Sequence, residues 1–215
     1  MQRILSKPFM LAELALFMLG VPLLLWLALP PFMILPVLWT MAVVTYHIAR
    51  IVTPAPVRVL WNWSAVNWTN LKVMLLRFII CACLMAGVTY LFKPEMLFSF
   101  VRQKPYFWAV VMVIYPVLSV IPQEIIFRTY IFQRYKGLMT PLLLVLVSGI
   151  GFGFVHIVFN NWVAPALCTI GGLIFASTYQ RTRSLALVSI EHALYGDFLF
   201  TVGLGRYFYH GAVGM

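Results

Sequence analysis

Ile121-Pro122-Gln123-Glu124-Ile125-Ile126-Phe127-Arg128 sets a carboxylate and a guanidinium inside an otherwise apolar run. The whole chain has only five acidic residues, and Glu124 is one of them. A charged side chain at the centre of a membrane helix costs roughly 3 kcal/mol or more, so such a residue marks a functional site by default. Glu124 and Arg128 are four apart, which puts them on one helix face within pairing distance.

The surroundings of this stretch decide the fold class. Of 215 residues, 63% are hydrophobic and 9% are charged; a soluble domain carries about 25% charged residues. At about 20 apolar residues per span, the chain is expected to be an all-α, polytopic transmembrane bundle of about seven to eight spans. Little is left over for a soluble module. The expected spans are residues 11–29, 31–47, 72–92, 106–135, 141–159, 163–179 and 185–202. Residues 1–104 read as N-terminal helices with an interfacial segment, and residues 105–215 as the catalytic-type core of one membrane domain. The first span, preceded by Arg3 and Lys7, reads as retained: its apolar run is too long for a cleaved signal, and no small-x-small site follows.

The formal charge is +10. Its Lys and Arg lie mostly in short connections between apolar runs, the topogenic pattern of membrane proteins. No basic block with interleaved aromatics points to nucleic acid, so the bilayer is the expected partner and nucleic acid is not. Arg50, Arg58, Arg134, Lys136, Arg181 and Arg183 mark cytoplasmic turns, which places the N-terminus in the cytoplasm, in a bacterial or archaeal inner membrane. The basic loop with Lys93, Arg102 and Lys104 then falls outside, against that rule. Trp61, Trp63 and Trp68, among polar neighbours, read as an interfacial stretch. The glycosylation-like Asn62-Trp-Ser and Asn67-Trp-Thr fall on the cytoplasmic side and read as chance. Cys81, Cys83 and Cys168 lie in apolar runs without CxxC spacing and read as small hydrophobes.

The late spans carry polar residues that lipid would reject. Residues 106–135 hold Gln123, Glu124 and Arg128; residues 141–159 hold His156; residues 185–202 hold Glu191, His192 and Asp197. Earlier spans offer Glu13 and His47 near their ends, and His210 lies in the aromatic tail; these read as interfacial. At about 1.5 Å per residue, Glu124, His192 and His156 lie about 18, 13 and 22 Å from their nearest marked interfaces. They can therefore meet in one cavity between the C-terminal spans. Pro116 and Pro122 predict kinks in an overlong fourth span. Gly149 with Gly153, and Gly172 with Ala176, predict close helix packing.

One carboxylate and two imidazoles in a dry cavity suit hydrolysis. A buried carboxylate is a candidate general base on water, one histidine can share that water, and a second, oriented by a carboxylate, can stabilise an oxyanion. Glu124, His156 and His192 are also candidate ligands for a divalent metal such as zinc, with water in the fourth position. No cofactor is required by the pattern. Alternatively, Glu124 with Arg128 is a structural ion pair. Glu191 adjoins His192 but points about 100° away on a helix, giving it a supporting place.

Gln123-Glu124-x-x-x-Arg128, Phe152-x-x-x-His156 and His192 within Ile-Glu-His-Ala resemble, in order and spacing, the three motifs of the CPBP intramembrane proteases (CaaX proteases and bacteriocin-processing enzymes, the Abi family). The resemblance covers about residues 118–197. It implies an intramembrane endopeptidase acting on a membrane-associated protein or peptide near its C-terminus, of glutamate or metalloprotease type. His156 would position the catalytic water, His192 would serve the oxyanion, and Arg128 would support Glu124. This sequence departs from the family twice. Gln123 stands where the family has its first glutamate, usually assigned as the base. Gly196 stands where the family has Asn or Asp, with Asp197 one residue late. Three readings of Gln123 are open: Glu124 is the base of a variant subgroup, Gln123 is an engineered substitution that silences the enzyme, or the chain is a non-catalytic relative. The rivals are a non-catalytic peptide-binding or immunity-type relative and a proton-coupled transporter. The absence of an inverted repeat counts against the transporter.

Overall fold

The computed structural model describes residues 6–28, 30–54 and 56–208; Arg3, Leu29 and His210 lie outside them. Among the described residues there are seven helices long and apolar enough to cross a membrane. We number them α1 (Lys7–Ala28), α2 (Pro31–Val52), α3 (Trp68–Phe92), α4 (Pro105–Arg134), α5 (Pro141–Phe159), α6 (Val163–Thr182) and α7 (Leu185–Val202). The protein is a polytopic helical bundle integral to the membrane. The expected α7 matches to the residue. The third span starts four residues earlier than expected because the Asn67 side chain caps it, accepting from the Asn70 amide at 3.2 Å, which satisfies one of the free first-turn donors.

The two ends of the bundle differ. At one end Glu13 of α1 takes a two-point ion pair from Arg134, with Nε 3.0 Å from Oε1 and a second guanidinium nitrogen 2.6 Å from Oε2. The Tyr130 and Tyr135 hydroxyls donate to the same carboxylate. Asn62 donates to the Thr182 carbonyl, and Ser184 donates to the carbonyls of Trp61 and Asn62. Lys136 reaches Thr53. The connections bearing Arg58, Arg134, Lys136, Arg181 and Arg183 therefore gather on one face. At the other end Trp26 donates to Asn160, and the Phe98 amide to the Val202 carbonyl. Side-chain and backbone hydrogen bonds thus tie the helix ends together at both ends of the bundle.

The late helices form the core. α5 and α6 lie backbone to backbone: a Cβ on Gly149 would sit 2.8 Å from the Leu173 amide nitrogen, and one on Gly172 would sit 2.6 Å from the Gly149 carbonyl oxygen. The small-residue pattern has the expected physical use, since only glycine admits this approach. The early helices are lipid-facing over most of their surface, with Leu24, Leu76, Leu84 and Leu91 all exposed; Cys83 points outward as well. α4 is irregular where its prolines sit. π-helical turns occupy Pro116–Val120 and Ile125–Tyr130, separated by the α-helical turn Ile121–Glu124. Proline offers no N–H to the preceding turn, and a π turn accommodates the freed carbonyls by adding a residue.

Candidate active site

Glu124 is fully buried at the end of the short α turn between the two π turns of α4. Its Oε1 lies 2.8 Å from His192 Nδ1 and its Oε2 lies 3.2 Å from Arg128 Nε. Arg128, also without exposure, donates to the Gly172 carbonyl at 3.3 Å. The guanidinium lies 4.8 Å from the ring centre of Phe152 and 5.7 Å from that of Phe175. Two aromatic faces thus partly replace the water that this cation has lost. The i,i+4 pair expected from sequence forms, and a histidine from α7 joins it.

His192 is held on every side. Its ring stacks on Phe175 at 4.7 Å with 20° between planes, and the edge of Phe152 meets it at 5.3 Å. A carboxylate only accepts, so Nδ1 carries the proton directed at Glu124. In the neutral imidazole Nε2 is then an acceptor, and the Tyr115 hydroxyl donates to it at 3.2 Å. His156 begins a tightened 3-10 turn that ends α5. Its Nδ1 lies 2.6 Å from the Phe152 carbonyl. A carbonyl has no proton to give, so Nδ1 donates and the Nε2 lone pair is left free of that bond.

These groups border a cavity of about 510 Å³. Its wall is apolar apart from Tyr115, Ser119 and Gln123 of α4, His156 of α5, His192 and Tyr195 of α7, Trp162 and the thiols Cys81 and Cys168. Tyr115, Ser119 and Gln123 recur every fourth residue and present one face. Gln123 donates to Ser119 at 2.7 Å, while its Oε1 is buried with no partner among the described residues. Leu84, Val88, Trp162 and Ile170, all exposed, line the mouth, which opens through the lipid-facing side of α3 and α6.

Gln123, His156 and His192 thus share one cavity, while Glu124 and Arg128 lie behind its wall. Glu191 lies apart: it is fully buried and paired with Arg77 of α3 at 2.8 Å, and Arg77 also donates to Thr178. Asp197 does not border the cavity, and its Oδ1 is buried without a partner among the described residues. Sequence reasoning passed over Arg77, Tyr115 and Ser119. Arg77, a cation in mid-span, carried the same signal that singled out Glu124. Tyr115 and Ser119 were legible only as the α4 stripe that ends on Gln123.

Glu124, His156 and His192 do not form a metal cradle. Among the described residues no three His, Cys, Asp or Glu side chains are placed to hold one ion. Both Glu124 oxygens already face cationic or donor nitrogens, and His156 Nδ1 is spent on a carbonyl.

The site is thus two buried imidazoles on the wall of a cavity that opens on the lipid-facing side of a helical membrane bundle. Residues 105–196 match the family model described as Rce1-like, type II CAAX prenyl endopeptidase Rce1-like. The match bears out the resemblance to CaaX-type intramembrane endopeptidases and includes all three motifs. No curated protein and no solved structure matches the chain.

Proposed function

We propose that the protein is an endopeptidase that uses activated water to cut a peptide bond in a membrane-associated protein or peptide. The observation that carries this reading is the shared cavity: Gln123, His156 and His192 border one apolar space inside the stretch that resembles CaaX-type proteases. An apolar wall with a few polar groups suits a peptide segment anchored in the bilayer, entering past Leu84 and Ile170.

His156 is the base in this scheme. Its Nε2 takes a proton from water as the water oxygen bonds to the scissile carbonyl carbon. The C–N bond then breaks, and the same proton passes to the departing amine. The free Gln123 Oε1 accepts from the attacking water and holds it. Glu124 faces His192 and Arg128 rather than the cavity, so its part is to fix the His192 tautomer and orientation; the base role first read for it from sequence moves to His156. We also assign the cation-rich end of the bundle, with the N-terminal end of α1, to the cytoplasm.

Cleavage of CaaX-type peptides by detergent-purified protein tests this. His156→Ala should lower kcat by about 10²–10⁴-fold, while Glu124→Gln, which still accepts from Nδ1–H, should lose far less. The reverse ranking would return the base to Glu124. A second reading, a peptide-binding relative that does not cut, is favoured by Gln123 and Gly196 standing at the family's Glu and Asn or Asp. Binding without cleavage by the wild type, with cleavage gained in Gln123→Glu, would establish it.

A further inference from the structure

We propose that the Tyr115 hydroxyl is the group that receives the developing oxyanion in this cavity, a reading that rests on the proteolytic function above. Tyr115 ends the straight part of α4, next to the π turn that starts at Pro116. Its ring lies against α7 beside Gly196, one turn beyond His192. A Cβ built on Gly196 would overlap the Tyr115 hydroxyl oxygen and the ring carbons Cε1 and Cζ. Position 196 and Tyr115 are therefore a matched pair: the side chain missing from α7 leaves the room that the phenol of α4 takes up. The ring is held by an edge contact to Phe200 at 5.2 Å and stands 78° to the His192 ring. Its hydroxyl borders the cavity and donates to His192 Nε2 at 3.2 Å.

That placement puts a neutral O–H donor beside the imidazole, on the wall that a substrate carbonyl would meet. At 3.2 Å this O–H···N hydrogen bond lies at the long end of the hydrogen-bond range, so the hydroxyl exchanges partners at little cost. As the water oxygen bonds to carbon, charge grows on the carbonyl oxygen. Tyr115 O–H turns to it and keeps its own proton throughout, with the water's proton on His156. A preorganised donor in such a site contributes about 10²–10³-fold to kcat. On the α7 side Gly196 has no side chain and Asp197 lies off the cavity, so Tyr195 is the other hydroxyl that borders it; Tyr115 is the one whose hydroxyl meets the His192 ring.

The test uses full-length protein in detergent and two probes. One is a CaaX-type peptide. The other is its non-cleavable phosphinate analogue, whose tetrahedral anion mimics the oxyanion; its binding is compared with that of the matched amide peptide. Tyr115→Phe keeps the ring and should lower kcat by about 10²-fold with KM little changed. It should also weaken phosphinate binding about tenfold and leave the amide peptide unaffected. Tyr115→Ala combined with Gly196→Asn returns a donor to α7 and should recover at least tenfold of the cleavage lost in Tyr115→Ala. Wild-type rates and affinities in Tyr115→Phe, or no recovery in the double variant, would overturn the assignment. Should the wild type cut no peptide, the proteolytic reading fails by itself. The phosphinate preference and its dependence on Tyr115 still decide the role of the hydroxyl.

Discussion

At the scale of single residues, the site is a set of nitrogen and oxygen atoms whose partners leave few choices. Glu124 and Arg128 have no exposure, and Glu124 also receives His192. Removing one member of a buried pair leaves an unpaired charge in apolar surroundings, a cost of about 3–5 kcal/mol. Arg128→Met should therefore lower the thermal midpoint in detergent well below that of the wild type. Arg128→Met combined with Glu124→Gln should regain much of the loss. An Arg128→Met midpoint equal to the wild type would show that the pair does not hold the helices. The pair was legible in sequence because two charges four apart in an apolar run have few other uses. What it faces was not legible. Spacing puts Glu124 and Arg128 on one face, but only the packing of α7 decides that His192, rather than water, meets the carboxylate.

At the scale of helices, glycine positions the site. His156 rides on α5 and Phe175 on α6, and the two helices approach at Gly149, Gly153 and Gly172. Gly149→Ala or Gly172→Ala would press a methyl onto backbone atoms and should cost about 1–3 kcal/mol. Cleavage should fall with it as His156 and Phe175 are pushed apart. Gly87→Ala, where nothing lies within 4 Å, should leave both unchanged. Equal midpoints for Gly172→Ala and Gly87→Ala would remove close packing as the explanation. The spacing of small residues announced this contact. The π turns of α4 were only half announced: Pro116 and Pro122 predict irregularity, but not that Tyr115, Ser119 and Gln123 emerge on one cavity wall while Glu124 turns behind it. Glu191, read as support for His192, is held by Arg77, a partner 114 positions away.

At the scale of the whole molecule, the bundle encloses a cavity open on its lipid side and gathers the turns bearing Arg58, Arg134, Lys136, Arg181 and Arg183 at one end. The carboxylate and imidazoles are tied to each other, to Arg128 and to a backbone carbonyl, rather than aimed at a common point. Cleavage should therefore survive EDTA or 1,10-phenanthroline, measured with the same peptide. Loss of activity to phenanthroline that zinc restores would show that the site rearranges around an ion. The sequence by itself determined the medium, the helical class, the span positions within a few residues and the helices that carry polar groups. Each of these follows from local quantities: apolar length, charge position and spacing along one helix. Tertiary structure decided which polar atoms meet. It alone drew His192 to Glu124, Arg77 to Glu191, and Tyr115 into the space beside Gly196. Those contacts join residues 68, 114 and 81 positions apart, and no helical period reaches that far. The opening octapeptide thus carries both halves of the site. Gln123 faces the cavity, and Glu124 holds the imidazole on its far wall.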